Sequence, residues 1–297
     1  MTPFFSVIIP TYNRADMIGA TIRSFLNQDF FDFEVIVVDD GGDDNTKEIV
    51  ESFCDGRIRY FWKENKERAA ARNFGASLAN GKYLNFFDSD DIAYPKHLSI
   101  AKQVISNMKM PDVFHLGMEI CTKEGKIIRR ISRVGGKGEK MILKYCYLNP
   151  NSVFVKYSAW EQVKFNEERS LAASEDWVFF LQLSMRYKWI VKDDFVTSYI
   201  VQHEGRSMNT STGDSCYRRA KSIRIAIDRD HLFAEKLSKG QIKRIYAEPI
   251  HLTALHYALE RKKWKSIKAL VEAGKLSIRA LVSIRTLAIV KYLLLKW

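Results

Sequence analysis

The chain has 297 residues, of which 46% are hydrophobic and 28% are charged, which is the composition of a globular protein and excludes disorder along its whole length. None of its four cysteines forms a C-x-x-C pair, so a zinc ribbon and a dithiol redox motif are excluded. The formal net charge is +12, and we expect neither a signal peptide nor a conventional membrane-spanning helix, because no basic leader and no long uncharged apolar stretch is present.

The first hundred residues predict alternating strands and helices. Four apolar runs predict buried strands, at 4–9, 33–38, 58–62 and 82–87. Three segments with helical spacing predict helices, at 16–27, 44–53 and 69–79. We expect Asn45 or Thr46 to cap the second helix. This order predicts an α/β fold with a mostly parallel sheet flanked by helices.

Beyond Pro95 the pattern is mixed. The spacing predicts helices at 97–108 and 175–187, strands at 151–156 and 195–201, and short strand-like pieces at 112–135. Almost everything after residue 215 is predicted to be helical.

The positive charge is concentrated at the end of the chain. Residues 215–297 contain 19 Lys/Arg and six Asp/Glu, whereas residues 1–214 contain 28 and 29. A basic region beside a neutral one indicates an anionic partner, lipid headgroups or nucleic acid, or else a solvated helical face.

Two acidic clusters follow predicted strands: Asp39 and Asp40 after the second strand, and Asp88, Asp90 and Asp91 after the fourth. Ligands of open parallel sheets bind beyond the carboxyl ends of the strands, so we expect both clusters at one crevice. Carboxylates at close range raise each other's pKa unless a cation neutralises them, and Mg²⁺ or Mn²⁺ satisfies that need. Caps of the following helices are the alternative reading.

Two nucleotide-binding motifs are absent. No G-x-x-x-x-G-K-[ST] loop exists, which excludes a P-loop NTPase, and no G-x-G-x-x-G follows the first strand, which argues against a dinucleotide site. The segment directly after the first predicted strand is instead Pro10 to Arg14. Tyr12 can stack on a base and Asp40 can accept a hydrogen bond from a base N–H, although both can equally be ordinary loop residues.

Four segments in order resemble family 2 glycosyltransferases of the GT-A fold. They are Val7-Ile8-Ile9-Pro10-Thr11-Tyr12-Asn13-Arg14, Val37-Val38-Asp39-Asp40-Gly41-Gly42-Asp43-Asp44-Asn45-Thr46, Ala71-Arg72-Asn73-Phe74-Gly75 and Phe87-Asp88-Ser89-Asp90-Asp91 with Pro95. The resemblance covers about residues 3–205. It implies a GT-A catalytic domain at 1–214, with a nucleotide-binding half at about 1–95 and an acceptor half at about 96–214. A basic helical region at 215–297 follows.

The resemblance implies nucleotide binding by Pro10, Thr11, Tyr12, Asp40, Arg68, Arg72 and Asp88. The first three would line the base pocket, Asp40 would bond the base, and Asp88 would face the ribose or the sugar. Arg72 would lie near the nucleotide, with Arg68 as a second candidate.

The metal and the catalytic base are implied in the same way. Asp90 would bind Mg²⁺ or Mn²⁺, and His203 resembles the late histidine that completes the metal or diphosphate site. Asp176, in Ser174-Glu175-Asp176-Trp177, would be the catalytic base, although an acid favoured by the helix dipole is the plainer reading. The Gln-x-x-Arg-Trp motif of processive members is absent, because Gln182-Leu183-Ser184-Met185-Arg186-Tyr187 does not match it.

The resemblance therefore implies an inverting, metal-dependent transferase that moves one sugar from a nucleotide-sugar, by preference a UDP-sugar, to a hydroxyl of a glycan or lipid-linked acceptor. We expect a bacterial enzyme of surface polysaccharide or lipopolysaccharide synthesis. A nucleotidyltransferase and a catalytically silent nucleotide-sugar-binding protein of the same fold are the alternatives. The former normally carries a glycine-rich basic loop after its first strand, and the latter usually lacks Asp90 or Asp176.

Residues 264–297 intersperse Lys and Arg with Trp, Ile and Leu. Such a segment can lie in a bilayer interface or pack as a helical bundle on the catalytic domain. The charge split favours a cytoplasmic protein that is peripheral on the anionic cytoplasmic membrane face. No nucleic-acid-binding motif is found, so we expect no nucleic-acid partner.

Overall fold

The computed structural model describes residues 2–131, 141–144, 147–203, 205–206 and 211–294. The chain divides into two units. The first comprises residues 1–139, 147–167 and 187–203, and the second comprises 140–146, 168–186 and 204–297. The domain limits expected from the sequence stay a prediction.

The first unit contains a nine-stranded sheet and five described α-helices. The strands are β1 (Phe5–Thr11), β2 (Phe33–Asp39), β3 (Ile58–Trp62), β4 (Tyr83–Phe86), β5 (Ile92–Ala93), β6 (Val113–Cys121), β7 (Ile127–Ile131), β8 (Val153–Lys156) and β9 (Trp189–Val201). The helices are α1 (Ala15–Leu26), α2 (Thr46–Glu51), α3 (Glu67–Ser77), α4 (His97–Asn107) and α5 (Tyr157–Gln162). A 3₁₀ turn at Pro150–Ser152 precedes β8.

The sheet order is β3-β2-β1-β4-β8-β6-β9-β5, with β7 paired to β6. Strands β3, β2, β1 and β4 are parallel, as the sequence predicted, and the later part of the sheet mixes parallel and antiparallel pairs. The α/β fold prediction is confirmed. Parallel pairing brings the carboxyl ends of β2, β1 and β4 to the same edge, where the two acidic clusters follow β2 and β4.

Both faces of the parallel strands are covered. Val7 and Val37 point into a core shared with Ile22 of α1. On the other face α3 approaches so closely that a Cβ at Gly75 would lie 2.6 Å from a methyl group of Ile8. Because both faces of these strands are buried, their sequences are continuous apolar runs and do not alternate between apolar and polar residues.

Several predicted boundaries differ from the structure. Asn45 stands at the N-cap position of α2, as predicted, but its side chain makes no cap hydrogen bond, and Asp44 Oδ1 instead accepts the Thr46 N–H at 3.1 Å. The carboxylate before the N-cap thus binds the first helical N–H, and its Oδ2 also accepts the Ala15 N–H of α1 at 2.9 Å. Strand β9 begins six residues before the predicted start, and the predicted strand pieces at 132–135 lie outside the described residues.

The second unit is helical in its described part. Its helices are α6 (Glu175–Arg186), α7 (Gly213–Arg229), α8 (His231–Lys236), α9 (Lys239–Leu259), α10 (Lys263–Leu276), α11 (Ile278–Leu281) and α12 (Ile284–Leu294), with a 3₁₀ turn at Arg169–Leu171. Helices α7, α9, α10 and α12 share one apolar core. Across the described residues, no helix is both long and apolar enough to pass through a bilayer.

Candidate active site

The first acidic cluster lies where β1 and β2 end side by side. Thr11 and Asp39 are paired residues of the two strands, and the Asp40 N–H donates to the Thr11 carbonyl at 2.8 Å. Asp40 Oδ1 accepts from Lys63 Nζ at 2.5 Å and from the Lys66 N–H at 3.0 Å. Within the described part of the chain, Asp40 Oδ2 accepts no hydrogen bond. One carboxylate oxygen is therefore left to meet a donor from outside.

The neighbouring Asp39 is fully engaged in holding the loop. Its carboxylate accepts the Gly42 N–H at 2.8 Å through Oδ1 and the Tyr60 hydroxyl at 2.8 Å through Oδ2, and the residue is buried. Burial and this hydrogen bond raise the pKa of the Tyr60 hydroxyl, so it stays protonated and donates. Gly41 has φ +85°, which an L side chain rarely adopts. Asp39 thus fixes the turn that presents Asp40.

The loop after β1 presents the side chains that were expected at a base pocket. Tyr12 is 52% exposed, which leaves its ring accessible for stacking, whereas Pro10 is half-buried and Thr11 is buried. The Thr11 hydroxyl has no hydrogen-bond partner among the described residues. Asn13, with φ +49°, turns the chain and its Oδ1 accepts the Asp43 N–H at 3.0 Å, which joins this loop to the loop after β2.

The second acidic cluster follows β4. Asp88, Asp90 and Asp91 each offer a carboxylate oxygen, and these three atoms lie within 4.8 Å of one another. In the sheet, β1 separates β2 from β4, so the two clusters follow strands that lie about 10 Å apart, which is two strand spacings. A nucleotide is long enough to span that distance.

Asp91 has a structural role. It is completely buried, its Oδ2 accepts from Asn151 Nδ2 at 2.8 Å, and its Oδ1 accepts the Val201 N–H at 2.9 Å. Asn151 Oδ1 also accepts the Asp88 N–H at 2.8 Å. A single asparagine side chain therefore orients two residues of the acidic loop.

Asp88 pairs with the arginine that the sequence placed near the nucleotide. Arg72 Nη2 donates to Asp88 Oδ1 at 2.8 Å, and the Arg72 side chain is 1% exposed. Its guanidinium lies 5.3 Å from the ring centre of Phe165. Asn149 Nδ2 donates to Asp88 Oδ2 at 3.4 Å. Arg68 lies one turn earlier on α3 and is half-buried.

Asp90 pairs with the predicted histidine. His203 Nε2 lies 2.9 Å from Asp90 Oδ2, and the histidine side chain is 1% exposed. Asp90 Oδ1 makes no hydrogen bond to any described residue. A hard divalent cation such as Mg²⁺ or Mn²⁺ prefers oxygen ligands of this kind. The acidic loop therefore offers oxygen ligands that fit Mg²⁺ or Mn²⁺, and the role of Asp90 as a metal ligand stays a prediction.

A buried polar network lies beneath the acidic loop. His97 is completely buried between Asn85 Oδ1, at 3.1 Å from Nε2, and Thr197 Oγ1, at 2.9 Å from Nδ1. Asn85 Nδ2 donates to the Asn151 and Val153 carbonyls, both at 3.0 Å. Burial lowers the pKa of His97 to about 3, so the imidazole is neutral.

The predicted base lies in the second unit. Asp176 is in the first turn of α6, half-buried, and its Oδ1 accepts the Trp177 N–H at 2.7 Å. The helix is held by its neighbours, since Trp177 Nε1 donates to the Ile142 carbonyl at 2.9 Å and Arg186 pairs with Asp230 at 2.7 Å. The role of Asp176 stays a prediction.

Sequence reasoning missed four residues of the site: Tyr60, Lys63, Asn149 and Asn151. Lys63 comes directly after β3, so its place at the carboxyl end of a parallel strand was the available indication. The asparagines belong to a short segment, Asn149-Pro150-Asn151-Ser152, that ends in an antiparallel strand. Nothing in their spacing pairs them with the acidic loop.

The family is evident from sequence comparison. Residues 6–149 match the family described as glycosyl transferase family 2. The GalNAc(5)-diNAcBac-PP-undecaprenol beta-1,3-glucosyltransferase of Campylobacter jejuni is 34% identical over 212 residues, which are 66% of this chain and 67% of that protein. The chain belongs to glycosyltransferase family 2. An uncharacterized glycosyltransferase of Rickettsia bellii is 32% identical over 186 residues, or 61% of this chain, but the match spans only 26% of that longer protein.

Solved structures show the same fold. Residues 1–349 of Staphylococcus aureus TarS, in complex with UDP-GlcNAc, match with a TM-score of 0.69 at 22% identity, covering 98% of this chain and 88% of that one. The mannosyltransferase PcManGT of Pyrobaculum calidifontis, in complex with GDP-Man and Mn²⁺, matches with a TM-score of 0.59 at 18% identity, covering 99% and 85%. The family and the fold that the sequence predicted are both confirmed.

Proposed function

We propose that this family 2 member is an inverting glycosyltransferase that moves one sugar from a UDP-sugar to a hydroxyl of a glycan or lipid-linked acceptor. One observation carries the proposal. At one edge of the sheet, Asp40 and Asp90 each keep a carboxylate oxygen that no described residue engages, about two strand spacings apart. Such a pair suits the two ends of a nucleoside diphosphate, its base and its metal-bound phosphates.

At the base end, the donor is held by Tyr12 and Asp40. A uracil N3–H donates to Asp40 Oδ2 while Lys63 holds Oδ1, and the exposed Tyr12 ring stacks on the base. The similarity to TarS, which is described in complex with UDP-GlcNAc, supports uridine as the base.

At the diphosphate end, the chain provides Asp90 and His203. Asp90 would hold Mg²⁺ or Mn²⁺, and the bound ion would supply positive charge that stabilises the leaving nucleoside diphosphate. Asp88, fixed by Arg72 and by Asn149, faces the ribose or the sugar. The buried Arg72 holds Asp88 in one rotamer, so the residue positions the donor without adjusting to it.

The acceptor is activated by Asp176. The carboxylate takes the proton from an acceptor hydroxyl as that oxygen attacks the anomeric carbon opposite the leaving diphosphate, and one in-line displacement inverts the anomeric centre. The absence of the Gln-x-x-Arg-Trp motif supports transfer of a single sugar.

The similar C. jejuni protein, whose name describes a glucosyltransferase acting on an undecaprenol-linked glycan, supports the class of acceptor that we propose. We therefore propose a lipid-linked or surface glycan as the acceptor, in a bacterial polysaccharide or lipopolysaccharide route. A peripheral location on the anionic cytoplasmic membrane face fits both that acceptor and the basic residues 215–297.

Release of free UDP from a panel of UDP-sugars, with and without acceptor glycans, tests the proposal. We expect acceptor-stimulated UDP release that an excess of chelator removes and added Mn²⁺ or Mg²⁺ restores. In Asp176→Asn, turnover should fall by about 10²–10⁴ while UDP binding persists, because only the basicity of the side chain is lost. Full activity in chelator would refute the metal role, and a product with the donor's anomeric configuration would refute inversion.

A further inference from the structure

The last helix of the described chain has two apolar faces. On α12, Ile289 is completely buried and Leu293 packs beside it in the core of the second unit, together with residues of α7, α9 and α10. On the opposite face, Ile284, Leu287 and Leu294 are 88%, 71% and 73% exposed. We call these three residues together with Lys291 the outer face of α12, because their spacing places them within one helical stripe.

Neighbouring residues extend the exposed apolar surface. Ile278 and Val282, in and after α11, are 70% and 82% exposed. Single exposed apolar residues are ordinary, but five large aliphatic side chains within 17 residues of sequence are not.

The charges around this surface have one sign. From residue 273 to residue 297 the sequence contains five Lys/Arg and no Asp or Glu. Lys275, Arg279 and Lys291 are exposed, whereas Arg285 is paired with Glu248 at 2.8 Å. The surface therefore combines aliphatic side chains with uncompensated positive charge.

We propose that the outer face of α12 inserts into the interface of an anionic lipid membrane, with Lys275, Arg279 and Lys291 on the headgroups. This inference rests on the proposed membrane location and names the surface that produces it. The 11 residues of α12 span about 16 Å, too short to cross the hydrocarbon core, so the helix lies in the plane of the interface.

The charge of this surface distinguishes three possible partners: a second copy of the chain, a soluble polyanion and an anionic bilayer. A second copy of the chain would bring the same positive residues against it, since residues 215–297 carry all of the excess charge. A soluble polyanion would pair with the lysines and leave the aliphatic side chains in water. Of these three occupants, the anionic bilayer is the one that both buries the aliphatic side chains and pairs with the positive charge.

Opposite sides of α12 have different surroundings. Ile289 and Leu293 pack in the helical bundle of the second unit, while Ile284, Leu287 and Leu294 remain exposed. The same helix can therefore be a fixed part of the second unit and its membrane contact. No refolding is needed for the outer face to bind.

Co-sedimentation of the 297-residue chain with vesicles tests the proposal. The chain should bind phosphatidylglycerol-containing vesicles at low salt, bind them less at high salt, and bind pure phosphatidylcholine weakly. The double variant Ile284→Ser/Leu287→Ser should bind roughly 10- to 100-fold more weakly, because the burial of two large aliphatic side chains is lost. Arg279→Gln/Lys291→Gln should bind about 30-fold more weakly at low salt, and the loss should shrink as salt rises.

Phe31→Ser is the matched control, because Phe31 is 72% exposed but lies in the first unit. It should bind vesicles like the parent chain, and circular dichroism should show all variants folded. Unchanged binding of Ile284→Ser/Leu287→Ser, equal binding to neutral vesicles, or no binding at all would each overturn the proposal. A dimer in sedimentation velocity that the double variant dissociates would assign the surface to a second copy instead.

These outcomes are separable from a failure of the proposed function. The vesicles contain no acceptor, so their binding is scored without sugar transfer. UDP release with a water-soluble acceptor should be the same in Ile284→Ser/Leu287→Ser as in the parent chain. Loss of vesicle binding with normal UDP release would be the docking effect alone, whereas vesicle binding without any UDP release would leave the docking intact and refute the transfer.

Discussion

Each of the two acidic clusters of the first unit contains aspartates with two different roles. After β2, Asp39 is buried and holds the turn, while the adjacent Asp40 keeps one oxygen without a described partner. After β4, Asp91 is buried and holds the loop, while Asp90 keeps one such oxygen. In each cluster a structural acid fixes a second acid that remains able to bind.

This pairing explains why each cluster has more acids than a ligand needs. An isolated exposed carboxylate samples several rotamers, and ordering it costs conformational entropy when the ligand binds. The buried acid orders the loop during folding through its hydrogen bonds to backbone N–H groups, so less conformational entropy is lost when the ligand binds. The difference between the clusters is their second partner, a lysine at Asp40 and a histidine at Asp90.

The largest expected effect comes from the binding acid of the second cluster. In Asp90→Ala, turnover should fall by roughly 10³-fold or more, because the proposed divalent ion would lose its main protein ligand, and a bound metal supplies several kcal/mol of transition-state stabilisation. The free energy of unfolding should fall by only about 1–2 kcal/mol, because one contact, with the buried His203 Nε2, is lost. UDP-release rates and urea unfolding measure the two quantities, with the exposed Asp29→Ala as the matched control for both.

The structural acid of the same cluster should show the reverse pattern. Asp91→Ala leaves the Asn151 Nδ2 and Val201 N–H donors without their buried acceptor, and should lower the free energy of unfolding by about 3–5 kcal/mol. Urea unfolding measures this loss against Asp29→Ala, which should stay within about 0.5 kcal/mol of the parent. Equal stability of Asp91→Ala and Asp90→Ala would contradict the division of roles.

Much of this arrangement is predictable from the sequence because its determinants are local. The apolar runs at β1, β2 and β4 and the acids that follow them specify parallel strands ending at one edge, and the position of Tyr12 after β1 specifies its place beside them. The family resemblance correctly indicated the fold that these elements form.

What the sequence does not reveal depends on contacts between distant segments. Asn151 and Asp91 are 60 residues apart, and Val201 is 110 residues from Asp91. They meet because the antiparallel β8 and the long β9 return to the parallel strands, and no local spacing encodes that register. The distinction between the structural and the binding acid of each cluster therefore needs the structure, as did the cap of α2.

Beneath the second cluster, His97 makes stability depend on pH. Its pKa is about 3 in the folded chain and near 6.5 when unfolded, so below pH 6.5 the unfolded state binds a proton that the folded state does not. Stability is therefore lost as pH falls, by about 3 kcal/mol from this group at pH 4.5. Urea unfolding from pH 7 to pH 4.5 should show a shallower pH dependence in His97→Gln. A slope equal to that of the parent chain would contradict the assignment.

The smallest effect belongs to the binding acid of the first cluster. In Asp40→Ala, the affinity for UDP should fall by about 1.5–3 kcal/mol, the usual cost of losing a hydrogen bond to a charged group. Calorimetric titration with UDP measures it. Tyr60→Phe is the matched control, because it removes the hydroxyl that holds the neighbouring Asp39 and leaves Asp40 in place. That variant should lose about 1–2 kcal/mol of stability and retain UDP affinity within about twofold. If Tyr60→Phe weakened UDP binding as much as Asp40→Ala, both acids would be acting through the shape of the loop. The base would then not be held by Asp40 Oδ2.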